Sequence, residues 1–211
     1  MNGTQIARAP GRAAEIRRAQ SSDLAALSDF FTGLSARTRS RRFFAPVTPT
    51  SAMLRYLSGD AANVDAVVAV ARGGIVGHAM AADRAGSDGE SISEIGVVVA
   101  DAWQGLGVGS ALVRALIAGA QARGVTSLTM DVLPGNRQVL AMILGHWAEA
   151  GVDYDADCVT VRVRFPGYQH KHTHAAPGPR ALATRQTGRS AGRPVAPPPA
   201  RRPRMLIGYR P

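Results

Sequence analysis

The sequence predicts an α/β domain with a mixed central sheet flanked by helices, and three observations predict it. The apolar run Ile92 to Ala100 leads through the glycine-rich turn Gln104-Gly105-Leu106-Gly107-Val108-Gly109 into a helix, and then into a strand from Ser127 to Val132. Strand, turn, helix and strand make a crossover unit, which favours parallel pairing. Val64 to Ala71 and Ile75 to Ala82 flank Gly73-Gly74 as a hairpin, and Cys158 to Phe165 alternates Val159, Val161, Val163 and Phe165 with Thr160, Arg162 and Arg164.

The remaining elements fall between these. Glu15 to Arg18 reads as a short first strand. Ser21, Ser22 and Asp23 offer N-cap groups to a helix whose apolar face is Leu24, Leu27, Phe30, Phe31 and Leu34. The polar, Arg-rich stretch from Ser35 to Ser40 and then Phe43-Phe44, Pro46 and Pro49 separate it from a second helix, capped at Thr50 or Ser51 and reaching Leu57. Two early helices are therefore expected. Ile92 to Ala100 has the near-continuous apolar character of a central strand buried on both faces. The helix after the glycine turn runs to about Arg123, and Asn136 can cap a last helix running to about Ala150.

Composition divides the chain. Of the 211 residues, 25 are Lys or Arg and 15 are Asp or Glu. Residues 166 to 211 hold nine of those 25 bases and no acid, leaving 16 bases against 15 acids in residues 1 to 165. The basic signature that suggests nucleic acid or an anionic surface thus belongs to the tail alone. With nine of the 13 prolines, the tail has too little apolar surface to offset its ordering entropy, and disorder is expected there. The expected organisation is a flexible leader at 1–11, one domain at 12–165 and the tail at 166–211. A single cysteine, Cys158, and the lack of an 18-residue apolar run make a cytoplasmic location the default, with no membrane span.

The glycine turn carries the chemistry. Three glycines before a helix let backbone N–H groups converge on an anion at the positive end of the helix dipole, which implies a phosphate-bearing ligand. No Lys-Ser/Thr pair follows the last glycine, and the spacing of Gly105, Gly107 and Gly109 is wrong for a dinucleotide fingerprint.

The segment Val97-Val98-Val99-Ala100-Asp101-Ala102-Trp103-Gln104-Gly105-Leu106-Gly107-Val108-Gly109-Ser110-Ala111-Leu112 resembles the acetyl-CoA motif of the GNAT N-acetyltransferases, with its Q-x-x-G-x-G core. The resemblance implies a GNAT-type fold and acetyl-CoA as acyl-donor substrate. It also implies that the strand residues Val97, Val98 and Val99 face the pantetheine arm. Backbone groups of Gln104, Gly105, Leu106, Gly107, Val108, Gly109 and Ser110 would hold the pyrophosphate, and Asn136 leads the helix that follows. Leu34 to Phe44 is similar to an L-S-x-x-S-x-x-x-R-F-F segment of bacterial protein lysine acetyltransferases, which implies a protein lysine acceptor.

An amine must lose a proton before it attacks a thioester, so the site needs a base. Glu94 is the candidate: it opens the apolar strand, where partial burial raises a carboxylate's pKa, and the resembling enzymes place a glutamate ten residues before the motif Gln. Glu90 is a weaker substitute, and Asp101 reads as turn chemistry. Many family members carry a tyrosine seven residues after the position of Asn136 to protonate the departing thiolate. Ile143 stands there, which leaves Tyr154 as a remote stand-in. His78, His146 and Cys158 read as structural.

His170, His172 and His174 lack a completing carboxylate or thiolate, so no metal is assigned. Lys171 is the only lysine and hence the one side chain open to self-acylation, and Tyr168 and Tyr209 are the tail's stacking groups for weak, nonspecific nucleic-acid contact. The leading expectation is acetyl transfer to an amine, with a protein lysine as the preferred acceptor. A small-molecule amine acceptor, and a catalytically degenerate acyl-CoA-binding module that regulates a partner, are the alternatives. A nucleic-acid binder has no support in the domain itself.

Overall fold

A computed structural model describes residues 5–9, 12–86 and 89–165, with side chains described from residue 13 onward. The tail and its histidines, Lys171, Tyr168 and Tyr209 lie outside the described residues. The elements are β1 (Gln5–Ala9), β2 (Arg12–Arg18), α1 (Leu24–Gly33), α2 (Ala36–Phe43), α3 (Ser51–Leu57), β3 (Val64–Ala71), β4 (Gly74–Ala85), β5 (Ser91–Val99), α4 (Val108–Ala122), β6 (Ser127–Val132), α5 (Arg137–His146), β7 (Gly151–Tyr154) and β8 (Val159–Arg164).

One eight-stranded sheet runs in the order β1-β2-β3-β4-β5-β6-β8-β7. Every neighbouring pair is antiparallel except β5 with β6, the parallel pair expected of the crossover. The sheet separates two apolar layers. On one face α4 places Leu112, Leu116 and Ala120 against Ala79, Ala81, Ile95 and Leu128. On the other, α1 and α3 place Leu27, Phe31, Leu54 and Leu57 against Val68, Met80, Ala82 and Val98. Alternation along the strands makes this possible, since residues of opposite parity face opposite layers. Gly77 lets α4 approach β4 closely: a Cβ there would lie 2.9 Å from Leu112 Cδ1.

Four features depart from the sequence expectations. Gln5–Ala9 pairs with β2 as an edge strand, although it was assigned to a flexible leader. The stretch after Ser35 is a third early helix, α2, and its arginine content conceals this because only Thr38, Arg42 and Phe43 are buried. Short β7 pairs with β8 on the outer edge, where only Val152 has appreciable burial and the apolar pattern is correspondingly faint. The last helix ends at His146 rather than near Ala150, and Asn136 stands at its N-cap without a side-chain capping bond. Asp23 likewise does not cap α1. It takes paired hydrogen bonds of 2.7 Å from Arg17 and one of 2.8 Å from the Gln20 N–H, and Arg17 accordingly holds its carboxyl below the ordinary range.

His78, on β4, is wholly buried, with Phe31 edge-on at 5.4 Å. Its Nε2 donates to the Leu57 carbonyl at 2.8 Å, fixing the neutral tautomer and tying α3 to the sheet. Burial, with Arg42 nearby, lowers its pKa to about 3. Unfolding therefore releases an imidazole that takes up a proton below its ordinary pKa of about 6.5, so stability rises with pH between the two values and is lost on acidification through that window. Denaturant unfolding between pH 7 and 5 is expected to show stability falling toward roughly 1 kcal/mol per pH unit below pH 6. A His78→Gln variant, less stable throughout, is expected to lose this slope.

Candidate active site

Strand β5 pairs with β6 only over Ile92↔Ser127, Ser93↔Leu128 and Glu94↔Thr129, whereas its pairing with β4 continues to Val99↔Gly77. Beyond Glu94 the two parallel strands part. The β6-facing backbone groups of Ile95 to Val99 are left without a ladder partner and border a cleft of about 860 Å³. At one end the cleft reaches the N-terminus of α4. Thr38, Arg41 and Arg42 of α2 also border it.

The α4 end suits an anionic ligand. Gly105 and Gly107 have φ of 73° and 78°, left-handed values that disfavour other residues, and a Cβ at either would meet nothing within 4 Å. Gly107 is the N-cap and supplies no side-chain cap, so the first-turn amides of α4 keep their intrinsic need for an acceptor. The Oδ1 of Asn136, a residue only 9% exposed, has no hydrogen-bond partner among the described residues, and Asn136 lines the same cleft. Open glycines, uncapped amides and an orphan carbonyl oxygen fit a phosphate ester joined to an amide-bearing arm.

Most of the sequence-selected residues meet here. Val97, Val98, Val99, Gln104, Gly105, Gly107, Gly109, Ser110 and Asn136 all border the cleft, as does Glu94. Leu106 and Val108 instead pack their side chains into the α4 layer, so only their backbone groups can serve a ligand. The Gln104 side chain is also committed internally: its Nε2 donates to Val99 O at 3.1 Å and to Thr38 Oγ1 at 3.3 Å. Ile143 lines the cleft where a tyrosine was sought, and Tyr154 is 72% exposed on β7, outside it. Glu90 is absent from the lining, His146 borders it, and Cys158 is buried in the core.

Two functional placements escaped the sequence. Asp101, read there as turn chemistry, accepts hydrogen bonds from Ser35 N (3.0 Å), Ser35 Oγ (2.8 Å) and Thr38 Oγ1 (2.7 Å), and so pins the start of α2 to the end of β5. The three donors lie 66 and 63 residues away, and no local pattern marks that pairing. The second is Arg42 of α2, 6% exposed and within electrostatic reach of Glu94 and Tyr56. Burial lowers its pKa to about 10, with Glu94 opposing the shift, so it remains charged at neutral pH. Tyr56 is raised, first by desolvation and then by Glu94.

The parted strands, the glycine-led helix and the carboxylate at the fork are the setting in which the chain's similarity to known proteins is to be read. The model described as the acetyltransferase (GNAT) family matches residues 33–145, more than half of the chain. The chain belongs to the GNAT acetyltransferase family. It is an N-acetyltransferase whose acyl donor is acetyl-CoA. Solved structures agree on the fold. The GNAT domain of S. lividans PAT is 22% identical over 77% of this chain and 97% of its own, with a TM-score of 0.68. A phosphinothricin acetyltransferase from Sinorhizobium meliloti, in complex with AcCoA, is 17% identical over 76% of this chain and 94% of its own, with a TM-score of 0.58. A cAMP-binding acyltransferase from Mycobacterium smegmatis is 26% identical over 78% of this chain, which spans 48% of that longer protein, with a TM-score of 0.51.

The Asp101 network makes α2 of this GNAT domain sensitive to acid. The Ser35 backbone and then Thr38 hold the Asp101 carboxyl below its ordinary range, so the docking it provides is present above about pH 4 and is lost as pH falls through its lowered folded value. Asp101→Ala is expected to leave the sheet intact while raising amide hydrogen exchange in residues 36–43. Unchanged protection there would show that α2 is held by its apolar contacts alone.

Proposed function

We propose that the domain acetylates an amine by direct attack on acetyl-CoA, with Glu94 as general base and a protein lysine side chain as the preferred acceptor. The observation that carries this reading is the position of Glu94: it is the last residue of β5 paired with β6, at the fork from which the cleft opens. A donor lying between the parted strands, its pyrophosphate at the α4 N-terminus, brings its thioester toward that fork. An amine entering from the α2 side meets the thioester carbonyl there.

The proton inventory is short. Glu94 takes one proton from the acceptor ammonium, directly or through one water, and frees the nitrogen lone pair. The C–N bond forms as the C–S bond breaks. The nitrogen gives up a further proton to solvent, and the departing sulfur leaves as a thiolate that solvent protonates. No tyrosine lines the cleft among the described residues, and a thiol of pKa about 8–9 leaves without a dedicated acid. The assignment of Val97 to Val99, of the backbone from Gln104 to Ser110, and of Asn136 to the donor belongs to the same proposal. It is supported by their common border on the cleft, which all but Leu106 and Val108 share.

The lysine preference rests on the similarity of Leu34 to Phe44 to the segment in bacterial protein lysine acetyltransferases. Here that segment is α2 and its flanks, which form the acceptor side of the cleft. A small-molecule amine is the second reading, since a cleft of about 860 Å³ bordered by α2, β6 and α5 has room for one.

Thiol release from acetyl-CoA, followed over a panel of peptide and small amines, tests the proposal. Glu94→Gln is expected to bind acetyl-CoA as wild type does while kcat falls roughly 100-fold or more. If wild-type protein binds acetyl-CoA and turns over with no acceptor, the domain is an acyl-CoA-binding module instead.

A further inference from the structure

The acceptor side of the cleft has a charge pattern that an ordinary amine does not match. Register places the side chains. Ala82, Glu94, Thr129 and Arg162 form one row across β4, β5, β6 and β8, and partners in a row share a face. Arg84 stands two residues beyond Ala82 on the same face, which is the face α1 and α3 cover and the one opposite α4. Arg84 and Arg162 line the cleft together with Arg41 and Arg42 of α2. The acids among the described lining residues are Glu94 and Asp131, and Asp131 accepts from Thr160 Oγ1 at 2.6 Å.

Arg84 and Arg162 thus share the sheet face of Glu94 and Asp131, and Arg41 and Arg42 of α2 border the same cleft. Arg84 and Arg162 stand on the sheet face opposite α4, whose N-terminus would hold the donor phosphates, so the donor does not account for these two. Arg42 is the most exacting of the four. It is 6% exposed, and its Nε and Nη2 make no hydrogen bond among the described residues. A guanidinium withdrawn from water needs compensating anions. An acceptor bringing only positive charge, such as a polyamine, would aggravate the imbalance.

We propose that the acceptor is an amine that carries a carboxylate or similar anionic group close to the reacting nitrogen, and that Arg41, Arg42, Arg84 and Arg162 bind that group while the nitrogen faces Glu94. The inference deepens the amine acetyltransferase reading and rests on it. Two sources supply such an acceptor, a free amino acid and a lysine flanked by acidic residues in a protein.

Matched pairs separate them: 4-aminobutyrate against butylamine, and acetylated Asp-Lys-Asp against Ala-Lys-Ala peptides. In at least one pair the acidic member is expected to be preferred about tenfold or more in kcat/KM, and the pair that shows it names the source. Because Arg42 is buried and its replacement can impair folding, the exposed pair carries the test. Arg84→Gln with Arg162→Gln is expected to reduce the preference about tenfold. Calorimetric binding of the same compounds to protein saturated with CoA reads the preference without turnover. No preference in either pair by rate and by binding, or a preference the double variant leaves unchanged, overturns the inference. Glu94-dependent turnover without any preference leaves the acetyltransferase reading standing alone, whereas binding preference without turnover removes the base and keeps the anion site.

Discussion

The fork between β5 and β6 governs this structure. A parallel pair normally continues its slanted ladder until one strand ends, but here it stops after three residue pairs while both strands run on. Backbone groups that a sheet would have consumed become the wall of a cleft, and the glycine turn at the end of β5 delivers the α4 N-terminus to the same space. A carboxylate at the fork, uncapped amides and a set of arginines all border the cleft that the interrupted ladder opens.

The second constraint is how α2 is held. Ser35 N, Ser35 Oγ and Thr38 Oγ1 converge on Asp101, and Gln104 links Thr38 to Val99 O. The helix bearing Arg41 and Arg42 is therefore anchored to the glycine turn itself by polar groups, while Phe43 fixes its far end in the α1–α3 layer. The network costs the turn its glutamine side chain and leaves the turn's backbone to serve a ligand.

Much of this was legible in the sequence because it is written in local patterns. The crossover, the β3–β4 hairpin, the alternation in β8 and the glycine spacing are short-range signals, and the spacing from Glu94 to Gln104 sits inside one of them. What escaped was long-range or disguised. Asp101 looks like a turn aspartate until residues more than 60 positions away are brought to it. The α2 segment looks like an arginine-rich loop because most of its surface is polar, yet Thr38, Arg42 and Phe43 give it a narrow buried stripe. Gln5–Ala9 carries no strong apolar pattern and gains its strand from the partner β2 offers. Asn136 read as a cap because its type suits one, yet its side chain makes no capping bond and its Oδ1 is buried without a hydrogen-bond partner among the described residues.

The sheet is continuous in order but not in mechanical strength. The five strands β1 to β5 form one block and β6, β8 and β7 another, and the hydrogen-bonded seam between the blocks is the short run from Ile92 to Glu94, extended by the Thr126 contacts to Ser91. The two strands that wall the cleft are thus joined by a ladder of only three residue pairs, with α4 and α5 packed on one face.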